Sequence, residues 1–141
     1  MFLLDTDHVS LDQRGHPAIR ARLQRTATDA IAISAITVEE QLRGWLAVVS
    51  AANTAQRRAD AYLRLTLAVE YLASITMLAY TVEADSLVNA LRTQGVRIGT
   101  ADVRIAATAL VYGATLVTRN GKDFGRVPGL RIVDWSLPEL S

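Results

Sequence analysis

The chain has 141 residues, half of them hydrophobic, and a formal net charge of only +1. This is enough for one compact domain, but it gives no strong overall attraction to nucleic acid. The absence of cysteine excludes disulfides, zinc–thiolate sites and thiol nucleophiles, and no apolar run reaches a membrane-spanning length, so we expect one cytoplasmic domain over residues 1–141.

The first half of the chain predicts a strand, a helix, a second strand and two helices. The first strand, FLLDT, is a short apolar run that ends at an acid, and Asp7 is placed to cap a following helix. Pro17 suits the first turn of the first predicted helix. The later helices follow from apolar residues at helical spacing. The predicted ranges, in chain order, are 2–6, 17–26, 30–34, about 38–52 and 55–73.

The second half continues the alternation of strands and helices. Gly113 is a predicted helix C-cap before the strand ATLVT, and LRIVDW is the last predicted strand. The alternation indicates an α/β fold with a mainly parallel central sheet of four to five strands, whose ligands are expected beyond the carboxyl ends of the strands. The predicted ranges are 75–81, 82–94, 101–112, 114–118 and 130–135.

Two acids in the first half stand at a strand end or in the first turn of a predicted helix, and each also has an ordinary structural explanation. Asp5 ends the first strand, where it can cap a turn or face a ligand. Glu40 is the fourth residue of Thr37-Val38-Glu39-Glu40, which predicts a capping box. Taken singly, neither acid establishes a site.

Two further acids bracket the segment 99–124. Asp102 falls in the first turn of a helix that Thr100 is predicted to cap, where a carboxylate is favoured by the helix dipole. Asp123 follows Asn120-Gly121, a turn signal. Both positions lie next to the predicted ligand face of the sheet.

All four acids would therefore meet at one edge of the sheet. Carboxylates gathered in this way repel one another unless a cation lies between them. With oxygen ligands and no cysteine, Mg²⁺ or Mn²⁺ fits best, and such ions retain waters that can be activated or exchanged for phosphate oxygens. The pattern indicates phosphoester hydrolysis.

Three segments carry a resemblance to a known family. They are LLDTDHVS (3–10), ISAITVEEQLRG (33–44) and IGTADVRIAATALVYGATLVTRNGKDF (98–124). Together they resemble the PIN-domain nucleases and, more narrowly, the VapC-type toxins of bacterial toxin–antitoxin pairs. The resemblance spans essentially the whole chain and implies a PIN-like three-layer α/β/α fold.

The resemblance implies that Asp5, Glu40, Asp102 and Asp123 are the catalytic acids and the metal ligands, with Glu40 preferred to Glu39 by its spacing in the motif. Asp5 and Asp102 would hold Mg²⁺, for which Mn²⁺ is a plausible substitute. Glu40 and Asp123 would complete the shell through water or bind a second ion. A water activated by the metal would cleave an RNA phosphodiester, leaving a 5′-phosphate and a 3′-hydroxyl.

Other polar residues are expected at the substrate. Thr6, Thr118 and Asn120 would be supporting polar groups by the same resemblance. Arg119 and Lys122 flank the predicted pocket and are candidates for phosphate contacts, although a solvated loop explains each equally well.

Three positions depart from the family pattern or have no assigned role. Asp7 stands where the family often has Asn, and adds a negative charge beside the pocket. Gln41 stands where Leu is usual, which leaves the register of the buried face of that helix open. His8 is expected on a helix surface, with no chemical role.

The resemblance also implies partners. They are an RNA substrate, a second copy of the chain in a homodimer, and a cognate VapB-type antitoxin that occupies a groove near the active site. A high apolar fraction in a small domain independently favours an oligomer or a bound partner. No membrane association is expected.

Two alternatives remain open from the sequence. LLDTDHVS also matches the Asp-x-Asp opening of haloacid dehalogenase-like phosphatases, in which Asp5 would be the nucleophile and Asp7 a general acid. Such enzymes need a lysine and a later acidic pair, and the only lysine, Lys122, lies after the fourth strand. The second alternative is a PIN-fold binding module without catalytic activity.

Overall fold

The computed structural model describes residues 1–139. Within them, five strands are separated along the chain by seven α-helices, and one turn of 3₁₀ helix lies at Thr28–Ala30. The strands are β1 (Phe2–Leu4), β2 (Ile31–Ser34), β3 (Thr76–Leu78), β4 (Thr115–Val117) and β5 (Ile132–Val133). The helices are α1 (Thr6–Gln13), α2 (Pro17–Arg25), α3 (Ala35–Ala51), α4 (Ala55–Ala73), α5 (Val82–Thr93), α6 (Thr100–Tyr112) and α7 (Gly121–Phe124).

The five strands form one sheet in the order β3-β2-β1-β4-β5, and every neighbouring pair is parallel. The chain first builds outward from β1 to β3 and then returns to the other side of β1 with β4. The order therefore reverses between β1 and β4. In parallel sheets such a reversal opens a crevice beyond the carboxyl ends of the two strands, where ligands bind.

The sheet separates two hydrophobic cores. Alternate residues of the strands face opposite sides, so that Leu3 and Leu116 join the core formed with α5 and α6, whereas Leu4 and Val117 join the core formed with α1, α2 and α4. Helices cover both faces, which explains why these short strands read as continuous apolar runs. The predicted α/β/α architecture with a mainly parallel sheet is confirmed.

The strands are shorter than predicted because their last residues leave the sheet to begin helices or loops. Asp5 and Thr6 were expected in the first strand, but Asp5 lies at the N-cap of α1 and Thr6 is its first residue. The last strand, predicted over residues 130–135, is limited to Ile132–Val133. Gly113 ends α6 in the left-handed conformation, with a φ of 65°, as predicted.

Three predicted helix caps were wrong. Asp5 caps α1 in place of Asp7. Ser34 caps α3, which begins three residues earlier than predicted, so Thr37 is inside the helix and the predicted capping box does not form. The N-cap of α6 is Gly99, and Thr100 is the first residue of the helix. Asn120-Gly121, predicted as a turn, opens the short helix α7.

None of the helices described within residues 1–139 has both the length and the apolar character required to cross a membrane.

Candidate active site

A cavity of about 580 Å³ opens at the carboxyl end of the sheet, where the strand order reverses. It is lined by the end of β1 and the start of α1, by α3, by the first turn of α6 and by the loop after β4. Three of the four predicted catalytic acids line it, together with three of the five polar residues predicted at the substrate. The lining residues are Asp5, Thr6, Asp7, Ser10, Glu40, Asp102, Arg119, Asn120 and Phe124.

Asp5 is held in the cavity by the helix that it caps. The residue is 6% exposed, and its Oδ1 accepts the backbone N–H of His8 at 2.8 Å. The ring Nδ1 of His8 lies 3.3 Å from the same oxygen. Both contacts use Oδ1, so Oδ2 remains available to a ligand in the cavity.

Glu40 is oriented by a chain of hydroxyl groups. Thr6 Oγ1 donates its only hydrogen to Glu40 Oε1 at 2.6 Å, so the 3.2 Å contact between Thr6 and Thr37 hydroxyls requires Thr37 to donate. Ser34 Oγ in turn donates to Thr37 Oγ1 at 3.3 Å. The hydrogens therefore all point toward the Glu40 carboxylate, an arrangement in which each bond strengthens the next.

Asp123 is not among the residues that line the cavity. Its Oδ2 accepts from Asn120 Nδ2 at 3.0 Å, while Asn120 Oδ1 caps α7 by accepting the N–H of Asp123. Thr118 is buried, and its hydroxyl accepts the N–H of Asn120 at 2.9 Å. Thr118 thus fixes the loop that carries Asn120, and does not itself face the cavity.

Asp102 is a carboxylate whose pKa is raised by its surroundings. Partial burial raises its pKa above the usual range, and the negative charges of Glu40, Asp5 and Asp123 raise it further. The four acids, distant in sequence, therefore share one electrostatic environment.

This raised pKa predicts a dependence of stability on pH. The folded state holds the Asp102 proton more tightly than the unfolded chain, so the corresponding stability is present below the ordinary pKa of 3.8 and is lost as the pH rises through the raised value. Asp102→Asn does not ionise. In EDTA, we expect the free energy of unfolding of Asp102→Asn to increase relative to that of the wild type as the pH rises through the raised pKa of Asp102.

Urea denaturation of both proteins from about pH 3 to pH 8 measures this difference, in which the other titrating groups largely cancel. A difference that stays constant with pH would show that Asp102 is not crowded by the other carboxylates.

Asp7 does not add an unbalanced charge to the site. Arg119 Nε donates to Asp7 Oδ2 at 2.7 Å, and Arg119 Nη2 donates to Asp7 Oδ1 at 3.2 Å. The two side chains are exposed at the mouth of the cavity. Lys122 is exposed on α7 and is not among the residues that line the cavity.

The expectation for His8 was wrong, and the open question about Gln41 is answered. His8 is completely buried, because the C-terminal segment around Trp135 covers it. Gln41 is buried as well, and its Nε2 donates to Ser10 Oγ at 2.9 Å. The buried face of α3 therefore includes Gln41, whose amide nitrogen makes this hydrogen bond. Only the position of His8 three residues after Asp5 could have indicated its place.

The donor set fits a hard divalent cation bound partly through water. No group of three or more histidines, aspartates or glutamates within residues 1–139 is arranged so that it could hold a metal ion by itself. Mg²⁺ commonly uses one or two carboxylates and retains several waters, so a complete set of protein ligands is not required. The crowding that raises the pKa of Asp102 is the condition that a cation would relieve.

Comparison with known proteins identifies the family. The model of the PIN domain matches residues 2–130, a range that contains every residue lining the cavity. The chain belongs to the PIN-domain family. This PIN domain is 35% identical over 106 residues to Ribonuclease VapC1 of Rickettsia felis, a match that covers 72% of this chain and 73% of the relative. It is 28% identical over 139 residues to the tRNA(fMet)-specific endonuclease VapC of Salmonella typhimurium, with 95% and 97% covered.

A solved structure agrees with these relatives. The VapBC2 structure from Rickettsia felis, bound to a DNA fragment from its promoter, superimposes on this PIN domain with a TM-score of 0.74. The sequences are 28% identical, and the match covers 95% of this chain and 98% of the other. The resemblance to PIN domains of the VapC type is therefore confirmed.

Proposed function

We propose that this PIN domain is an Mg²⁺-dependent endoribonuclease toxin of the VapC type, with Mn²⁺ as a substitute ion. The observation that carries the proposal is the convergence of Asp5, Glu40 and Asp102 on one cavity, where the charges of nearby acids add to the effect of burial on the pKa of Asp102. The relatives named as VapC ribonucleases support RNA as the substrate.

The proposed roles of the acids follow from their contacts. Asp5 Oδ2 and the Asp102 carboxylate would hold the ion, because Asp5 uses only Oδ1 for its contacts with His8. Glu40 keeps one oxygen on Thr6 and can orient a water with the other. Asp123 would act through Asn120, which it holds at the cavity wall. When bound, the ion supplies an acidified water as nucleophile and offsets charge on the leaving oxygen.

Arg119 is the proposed phosphate contact. Its guanidinium already forms two hydrogen bonds with the Asp7 carboxylate, a geometry that a phosphate group can also accept. An RNA phosphate entering the cavity would exchange with Asp7 for this side chain. Thr6 and Asn120, which also line the cavity, are polar groups beside the same path.

The ends of the RNA products test this function. Attack of water on phosphorus with the 3′-oxygen as the leaving group gives a 5′-phosphate and a 3′-hydroxyl and does not need the ribose 2′-hydroxyl, so a 2′-O-methyl group at the cut site should not prevent cleavage. The purified protein is incubated with structured RNA and Mg²⁺, and both product ends are mapped. Asp5→Asn, purified in the same way, is the control for contaminating ribonucleases.

Products that end in a 2′,3′-cyclic phosphate would contradict the proposal, because they form by attack of the 2′-oxygen.

The proposed partners are a VapB-type antitoxin and a second copy of the chain. The matched VapBC structure supports the antitoxin, and the acidic cavity would accept a basic side chain from it. Exposed apolar residues on α4 and α5, such as Leu63, Leu67 and Val82, support further protein contacts. We further propose that residues 1–141 act as one cytoplasmic domain.

The family match favours this function over the haloacid dehalogenase-like phosphatase. Asp7, the general acid required by that alternative, is held by Arg119. A binding module without catalysis would bind RNA without producing any cut ends in the same experiment.

A further inference from the structure

His8 connects the proposed active site to the C-terminal segment. Its side chain is completely buried at the start of α1, with Nδ1 3.3 Å from Asp5 Oδ1. On the other side of the ring, Nε2 accepts the backbone N–H of Trp135 at 3.3 Å. Asp134 Oδ1 lies 3.6 Å from the same Nε2.

The contact with Trp135 determines which ring nitrogen carries the hydrogen. A backbone N–H can only donate, so Nε2 must offer its lone pair. In neutral histidine the hydrogen then lies on Nδ1, which faces the Asp5 carboxylate and donates to it. Asp134 does not require a hydrogen on Nε2, because its Oδ1 already accepts the N–H and the hydroxyl of Ser136.

The C-terminal partner is firmly held. Trp135 is 2% exposed, and its ring packs on Phe2 of β1 with a centroid distance of 5.0 Å. The Arg22 guanidinium of α2 covers the indole at 5.7 Å. Two sides of the ring of His8 are therefore fixed by elements at opposite ends of the chain.

We propose that His8 is a positioning residue for Asp5: it donates from Nδ1 to Asp5 Oδ1 and so turns Oδ2 toward the cavity, while Trp135 keeps the ring in the required tautomer. The proposal rests on the proposed function for its catalytic consequence. Partners that orient a metal-binding side chain commonly change metal affinity or activity by about 10- to 100-fold when removed.

Two conservative variants separate the two sides of the ring. The amide nitrogen of His8→Asn lies near the place of Nδ1 and can still donate to Asp5, whereas His8→Gln reaches toward Trp135 and loses that donor. We expect His8→Asn to bind Mn²⁺ and cleave RNA much as the wild type does. His8→Gln and His8→Ala should lose roughly 10- to 100-fold in Mn²⁺ affinity, measured by electron paramagnetic resonance, and in kcat.

Val9→Ala is the matched control, since Val9 is equally buried beside His8 and its apolar side chain makes no polar contact with the Asp5 carboxylate. It should lower the Tm and leave Mn²⁺ affinity unchanged. A His8 that only fills space would make all three His8 variants behave like Val9→Ala. Equal losses in His8→Asn and His8→Gln would likewise overturn the proposal.

Nitrogen NMR of the imidazole rings tests the proposal independently of RNA cleavage. The chain has two histidines, and the signals missing in His8→Asn belong to His8. We expect Nδ1 to be protonated and Nε2 to be bare. Hydrogen on Nε2 would overturn the proposal even in an active protein. A wild type that fails to cleave RNA but has the expected spectrum would contradict the proposed function and leave the positioning role supported.

Discussion

Chelation of divalent ions by EDTA is expected to abolish RNA cleavage, and excess Mg²⁺ or Mn²⁺ is expected to restore it. Without a cation, the acids that raise the pKa of Asp102 would repel the phosphate as well as one another. Stabilisation of developing charge by a metal contributes several kcal/mol, which corresponds to a loss on the order of 1,000-fold in rate. Single-turnover cleavage of labelled RNA measures the loss.

EDTA already saturated with Mg²⁺ serves as the control for effects of the chelator itself. Circular dichroism in EDTA establishes that the fold is retained, so that loss of activity is not loss of structure. Unchanged cleavage in metal-free buffer would refute the metal-dependent mechanism while leaving the family assignment in place.

Asp102→Asn is expected to lower kcat by roughly 1,000-fold, because it removes one of the two carboxylates proposed to hold the ion. The asparagine side chain has nearly the same shape, and its amide can donate to the neighbouring carboxylates, so the fold should be retained. Asp5→Asn should lower kcat to a similar extent, because it removes the other of these two carboxylates. It should also keep the fold, because Asn caps helices about as well as Asp. Rates at saturating RNA and Mg²⁺ provide the comparison.

Asp60→Asn is the matched control, because Asp60 is an exposed aspartate on α4 that does not line the cavity. Its activity and stability should equal those of the wild type. If Asp102→Asn retained wild-type kcat, the acids around the cavity would not form the catalytic centre.

The fold was largely predictable from the sequence because each buried strand is a short run of apolar residues bounded by helical segments. The position of the cavity was predictable for the same reason. Polar residues end or directly follow β1, β2 and β4, and parallel strands bring those ends to one edge of the sheet. Asp5 follows from that rule, whereas Glu40 and Asp102 reach the same cavity from the early turns of α3 and α6.

Helix caps were less predictable because several capable residues compete within a few positions. Ser34 and Thr37 both have hydroxyls that can cap α3, and burial of Thr37 against Thr6 leaves Ser34 as the cap. The contact of His8 with the C-terminal segment could not be predicted. It depends on Trp135, which lies 127 residues further along the chain.

The central position of β1 has a consequence for synthesis of the protein. During translation β1 can pair with β2 early, but its other edge stays open until β4 arrives, and the loop that carries Asn120 follows later still. Domains generally fold as units during synthesis. A chain made only as far as β3 therefore has no cavity at this edge, and the site is assembled only after β4 and the loop that carries Asn120 have emerged.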